Sequence, residues 1–476
     1  MRTEMLIDGE WSKGNGTTFP TLDPATGEVL AEVPEGTEAD VNAAVDAAER
    51  AFESAEWAGM LPAARARLLL RLADLLEADA DAFARLETRD QGQPLAVSAG
   101  ISVPNAVEHL RYYAGWVTKI TGVTAPLSVP DVDYRTRREA LGVCALITPW
   151  NFPLMILMWK LAPALATGNT VVVKPAEQTP LTTLRLAELV AEAGIPDGVV
   201  NVVTGGPEVG KALVRHPKVA KVSFTGSTEV GREIGARAGR ELKHVSLELG
   251  GKAPSIITAD ADIDAAVAGN LMGGLLNSGQ VCAAYTRFLV DAARHDEFAE
   301  KLAAGAAAMK LGPGLAEDTQ LGPVVSAEQR DRAERYVRVG REDGAHLHDR
   351  APLDDDRGFF VRPAVFSGVT DDMRIAREEI FGPVLSVLPY DDPDELVARA
   401  NDTEYGLAAV IWSRDIGTAN RLASRVRAGT VWINMPPFLD AAAAWGGMKA
   451  SGLGREMGWS GIEAFTQVKS IWTNLA

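Results

Sequence analysis

The sequence predicts an α/β fold, and three observations carry that prediction. Apolar runs such as Thr170-Val171-Val172-Val173-Lys174 lack polar alternation, which suits strands buried on both faces. Segments with apolar residues at helical spacing follow them. Glycine and proline punctuate the joins, as at Pro175, Gly205-Gly206 and Gly226. Together these features read as a parallel sheet covered by helices.

Taken in order, residues 41–89 read as helices, with Arg67-Leu68-Leu69-Leu70-Arg71-Leu72-Ala73-Asp74-Leu75-Leu76 as the strongest stretch. Residues 121–139 are proline-punctuated and β-rich, closing on Arg135, Arg137 and Arg138. They suit either an excursion that pairs with another subunit or an exposed hairpin. Strands are expected over 142–148, 170–174, 199–203 and 219–224, and helices over 155–165, 182–193 and 228–238. The alternating run Val245-Ser246-Leu247-Glu248-Leu249 follows, then a second αβ series over about 262–432. No internal repeat or low-complexity linker interrupts the chain.

A chain of 476 residues accommodates two or three domains. Hydrophobic residues at 47% and charged residues at 23% are ordinary for a soluble globular protein. The net charge of -17, with 64 acidic against 47 basic residues, repels nucleic acid and anionic membrane surfaces. Neither is expected as a partner. Two cysteines build no disulfide framework and fit a reducing cytoplasm, the expected location. Residues 1–11 lack the apolar core of a signal peptide, and no apolar run reaches the ~20 residues that span a bilayer.

The chemistry centres on Cys282, within Asn277-Ser278-Gly279-Gln280-Val281-Cys282-Ala283-Ala284. Glu248 closes its strand-like run just before Gly250-Gly251-Lys252. A thiol and a carboxylate in a cysteine-poor chain suit covalent catalysis with a separate general base. The alternative for a lone cysteine is a small core residue, which is the expectation for Cys144 in its apolar run. Lys174-Pro175-Ala176-Glu177 begins where a buried strand ends, the place where parallel sheets bind ligands. There Lys174 can donate to a ribose or phosphate, and Glu177 can accept from ribose hydroxyls and repel a 2′-phosphate, favouring NAD over NADP. A solvated Lys and Glu is the plainer alternative.

Gly226 and Ser227 lie in Phe224-Thr225-Gly226-Ser227-Thr228-Glu229-Val230-Gly231, a strand, turn and helix start that suits a pyrophosphate. The usual G-x-G-x-x-G spacing is absent, and a simple helix cap is the alternative. Asn151, bracketed by Pro149 and Pro153, can present its amide to an oxyanion beside the Cys282 N–H, or can merely close an Asx-turn. Glu378-Glu379 before Gly382-Pro383 offers one carboxylate to a ribose, or is a solvated acidic pair. No metal is expected: of six histidines, only His346 and His348 are close in sequence.

In combination, Thr148-Pro149-Trp150-Asn151-Phe152-Pro153, Lys174-Pro175-Ala176-Glu177, Phe224-Thr225-Gly226-Ser227, Glu248-Leu249-Gly250-Gly251-Lys252, Gly279-Gln280-Val281-Cys282 and Glu378-Glu379-Ile380-Phe381-Gly382-Pro383 resemble the NAD(P)-dependent aldehyde dehydrogenase superfamily, of the non-acylating, acid-producing type. Ile7-Asp8-Gly9-Glu10-Trp11 and the segment 446–456 extend the resemblance over nearly the whole chain. It implies a small-molecule aldehyde as substrate and NAD as cofactor, with NADP the alternative.

The resemblance also implies roles. Cys282 attacks the aldehyde, Asn151 and the Cys282 N–H hold the oxyanion, hydride leaves for the nicotinamide, and Glu248 activates water against the thioester. The cofactor set becomes Ile147, Trp150, Lys174, Glu177, Gly226, Ser227, Leu249, Glu379 and Phe381. Lys160 and Glu456 match positions proposed to relay the proton, with surface charges as the alternative.

The implied fold is a Rossmann-like cofactor domain (1–120, 140–250 and 449–469), an α/β catalytic domain (251–448) and a β oligomerisation element (121–139 and 470–476). A homodimer or homotetramer is expected. Phe152, Trp159 and Trp445 are the expected substrate contacts, joined in a wider aromatic group by Tyr285 and Phe438. They favour an apolar or aromatic aldehyde over a cationic aminoaldehyde. The segment Ala441-Ala442-Ala443-Ala444-Trp445 departs from the family, which usually carries Pro-Phe before the two glycines. A coenzyme-A-acylating enzyme, a silent relative and a cofactor-free thiol hydrolase are the rivals. Glu248, the intact thiol and base, and the cofactor residues count against each in turn.

Overall fold

A computed structural model describes residues 2–14, 17–353 and 357–476. Two sheets organise it. The first holds five parallel strands in the order His244–Glu248, Val219–Thr225, Val143–Ile147, Thr170–Lys174 and Val200–Val202, with short antiparallel strands at both edges. The second holds Ala364–Ser367, Val384–Tyr390, Tyr285–Asp291, Ala253–Ile257, Ala408–Trp412 and Thr430–Ile433, all parallel, with His346–Leu347 antiparallel at one edge. The central strands are buried along their whole length, which is why they read as unbroken apolar runs.

The expected elements are present with small shifts at their ends. Residues 41–89 form the helices Glu38–Glu53, Pro62–Ala78 and Ala80–Gln91. Every residue of the helix Pro153–Ala166 is buried, so it is apolar all round rather than amphipathic. The second αβ series starts earlier than the helical spacing suggested, at the strand Ala253–Ile257.

Sequence reading missed the helical run 95–114, which contains a π-helical turn, Ser98–Ser102. It also missed the hairpin Thr18–Leu22 with Val29–Pro34. The β-rich stretch becomes the strand Val132–Ala140, paired antiparallel with Thr466–Asn474 of the same chain. That partner starts before residue 470. Trp472 and Val468 stand exposed on this ribbon.

The join between the sheets positions the site. Glu248 ends a strand of the first sheet, and Ala253 begins one of the second. Cys282 lies just before the strand Tyr285–Asp291. Carboxyl ends of one sheet therefore face amino ends of the other. Cys144 is fully buried in the first sheet, as expected of a structural thiol. Among the described residues, no helix is long and apolar enough to cross a membrane, and no cluster of three metal-ligating side chains occurs.

Candidate active site

The backbone before Cys282 turns through left-handed conformations at Asn277, Ser278 and Gly279, with φ of 49°, 55° and 76°. Such a turn is costly for residues with a Cβ, and side-chain bonds hold it. Asn277 Nδ2 donates to Asn151 O at 2.8 Å, and Ser278 Oγ donates to Gly322 O at 2.7 Å. Gln280 Oε1 accepts from Val325 N at 2.9 Å. Two glycines let the loop close. A Cβ on Gly279 would lie 2.5 Å from the Gly382 carbonyl, and one on Gly251 would lie 2.2 Å from Cys282 O.

Asn151 is buried and donates from Nδ2 to Gln280 O at 2.9 Å. This bond crosses to the thiol loop, so the side chain does not merely close an Asx-turn on its own backbone. One N–H is used there, which leaves the second able to donate to an oxygen beside the Cys282 N–H. Cys282 is half-buried and free. Burial, Glu248 and Glu379 push its thiol up to about 12, while the N–H groups of Ala283 and Cys282 pull the other way.

Glu248 is buried, and neither carboxyl oxygen has a partner among the described residues. Burial and the Glu456 charge raise its pKa well above the usual carboxylate range, opposed by Lys160 and Arg455. Lys160 and Glu456 are buried as well, which corrects the surface-charge alternative. Lys160 Nζ donates to the Glu456 carboxylate and, at 2.7 Å, to Thr225 Oγ1. Ser223 Oγ adds a bond to Glu456 Oε1 at 3.1 Å.

The residues expected to hold the cofactor gather at the strand ends. Ile147 and Leu249 are buried there. Lys174 is buried rather than solvated, with Nζ 3.1 Å from Pro175 O and 3.4 Å from Glu177 Oε2. A buried ammonium beside a half-exposed carboxylate supplies the donor and acceptor that ribose hydroxyls need. Ser227 caps the helix Thr228–Arg240, accepting from Val230 N at 3.3 Å, so the plain cap is present too.

Glu379 accepts from Gly251 N at 2.9 Å, and burial lifts it to about 7. A Cβ on Gly250 would lie 2.4 Å from Glu379 Oε2, so glycine leaves that carboxylate its place. Glu378 points away, accepting a hydrogen bond from Tyr336 OH. Trp150 and Phe381 meet edge to face at 5.1 Å. These donors, acceptors and glycine gaps fit a nicotinamide dinucleotide.

Phe152, Trp159 and Trp445 share one buried cluster, against which Cys282, Ile101 and Leu439 pack. Trp159 and Trp445 lie 6.1 Å apart. Tyr285 belongs to the same cluster, fully buried and 6.0 Å from Trp432, while Phe438 is exposed. Trp445 exchanges backbone bonds with Glu456 at 2.8 and 2.7 Å, so the segment that departs from the family is still clasped to the buried ion pair.

The model of the aldehyde dehydrogenase family matches residues 11–471. The chain belongs to that family. It is an enzyme, an oxidoreductase that uses a nicotinamide cofactor. Phenylacetaldehyde dehydrogenase of Pseudomonas fluorescens is 48% identical over 98% of the chain and 95% of its own length. Human mitochondrial aldehyde dehydrogenase is 46% identical over 98% of the chain and 91% of its own. The solved NAD+ complex of an aldehyde dehydrogenase from Bacillus cereus superposes with a TM-score of 0.98 at 47% identity, covering 100% of the chain and 97% of its own.

Sequence reasoning missed three features of the site. Ser223 and Thr225 lie on one strand face with the ion pair, and only their alternate spacing hinted at that. Lys252 is fully buried with no hydrogen-bond partner for Nζ among the described residues, and burial and Arg287 push it down to about 7 against the pull of Glu379. Its place directly after Gly250-Gly251 was the available signal. Asn105 bonds Trp159 across 54 positions, and nothing local marks it.

Proposed function

We propose that this enzyme oxidises an apolar or aromatic aldehyde to its carboxylic acid with NAD, through a covalent intermediate on Cys282. Asn151 and the Cys282 N–H hold the oxyanion that forms when the thiolate adds to the carbonyl. Bound NAD supplies the hydride acceptor that converts the thiohemiacetal to a thioester. Glu248 then takes a proton from water, whose oxygen adds to the thioester carbonyl; the C–S bond breaks and the acid leaves with that oxygen.

The observation that carries this reading is the unpartnered, buried Glu248 carboxylate whose charge bears on Cys282. Lys160 and Glu456 lead the proton away. Lys174, Glu177, Gly226, Ser227 and Glu379 hold the dinucleotide, and Ile147, Trp150, Leu249 and Phe381 enclose the nicotinamide end. Glu177 favours NAD over NADP.

The aromatic cluster of Phe152, Trp159 and Trp445 supports an aryl substrate, as does the similarity to a phenylacetaldehyde dehydrogenase. We assign 1–120, 140–250 and 449–469 to a cofactor domain, and 251–448 to a catalytic domain. The exposed ribbon would join copies into a cytoplasmic homodimer or homotetramer. The test is NADH formation across aliphatic, aromatic and amino-aldehydes, with NADP in parallel and Cys282→Ser as control. Turnover on aryl aldehydes that the Cys282→Ser variant loses is expected. Full activity in that variant would sink the covalent assignment.

A further inference from the structure

A polar group stands beside the aromatic cluster, bonded to one of its members, on the helical run that sequence reading missed. The π turn Ser98–Ser102 leads into the helix Val103–Ala114, and such single turns recur at functional sites. Buried hydroxyls pin it: Ser98 Oγ lies 2.7 Å from Thr88 Oγ1, and Ser102 Oγ lies 3.4 Å from Gln93 Nε2. Ile101, at the end of that turn, packs against the cluster that holds Phe152, Trp159, Trp445 and the Cys282 side chain. Asn105 follows one helical turn later, on the same side.

The Trp159 indole N–H donates to Asn105 Oδ1 at 2.9 Å. Indole nitrogen is only a donor, so this bond fixes which way the amide faces. The oxygen is taken, and the Nδ2 group is directed away from Trp159. It has no hydrogen-bond partner among the described residues, and Asn105 itself is only half-buried. Behind it His109 is fully buried, its ring 6.1 Å from Trp159 and its Nδ1 2.7 Å from Asn105 O. Burial keeps that imidazole neutral, at about 4, so the backing adds no charge.

We infer that Asn105 determines specificity: its Nδ2 group binds an oxygen acceptor on the tail of the aldehyde. The preferred substrate is an aryl aldehyde with a hydroxyl or ether oxygen beyond the ring. This rests on the aryl aldehyde reading above and narrows it. An all-carbon tail that covers Asn105 would take its N–H groups from water and give them no partner, a penalty that a hydrogen-bonding site converts into discrimination.

Matched arylacetaldehydes bearing methoxy or ethyl at the same ring position test it, because the two groups are alike in size and differ in the acceptor oxygen. Wild-type enzyme should favour methoxy in kcat/KM by about tenfold at the meta or the para position. Asn105→Leu should bring that ratio to about one. Asn105→Asp keeps an acceptor for Trp159 but loses the donors, and should push the ratio below one. Since the ratio is taken within each variant, a general loss of activity does not move it. Equal rates for methoxy and ethyl in wild type at both positions, or an unchanged ratio in Asn105→Leu, would overturn the inference. No NADH from any arylacetaldehyde, the unsubstituted one included, would instead refute the aryl reading on which it rests.

Discussion

Replacing Gly251 by alanine tests whether the cofactor-side turn sets the position of the thiol. The new Cβ would lie 2.2 Å from Cys282 O, with Leu407 Cβ at 3.4 Å behind it. A carbon against a carbonyl oxygen settles at about 3.3–3.6 Å, so the Cys282 backbone must retreat by roughly 1 Å. The obstacle is main chain held by Asn151, Gly322 and Val325 through Gln280, Asn277 and Ser278, so no rotamer change relieves it. A misplacement of about that size costs about 100-fold in rate. The prediction is a fall of about 100-fold in kcat/KM and in the pre-steady-state NADH burst, read by stopped-flow absorbance. Gly235→Ala is the control, since its Cβ would meet the movable Leu247 Cδ1 at 3.3 Å. A folded Gly251→Ala enzyme within threefold of wild type would refute the reasoning.

Glu248→Gln should keep the NADH burst and slow steady turnover by about 100-fold. Because the folded pKa of Glu248 is raised, its base form is lost as pH falls through that value, so wild-type deacylation should climb with pH above the usual carboxylate range. That limb should vanish in the Gln variant, and a lost burst would assign Glu248 to thiol activation instead. Lys160→Met strands the buried Glu456 carboxylate and should cost about 3–5 kcal/mol in urea unfolding. Adding Glu456→Leu should recover most of it; a single-variant cost below about 1 kcal/mol would contradict the buried pair.

Much of the site was legible because its parts are local. Gly279 and the prolines around Asn151 encode backbone turns within a few residues, and turns present side chains. Where a role depended on distant partners, the sequence left alternatives open. Lys160 and Glu456 could equally have been surface charges, since charged residues usually are. Trp159, Tyr285 and Phe438 looked alike as aromatics, yet two are buried in the cluster against which the thiol packs and one is exposed.

The sequence by itself determined the α/β class, because strands buried on both faces must be apolar throughout, and it singled out Cys282, Glu248 and Asn151 as candidates through short turn-forming motifs. The tertiary structure decided the environment of each group. It paired Lys160 with Glu456 across 296 positions, turned Glu379 under Gly251 and set Asn105 on Trp159. Desolvation and hydrogen-bond partners arise when distant segments pack, and a short stretch of sequence carries no record of what will cover it.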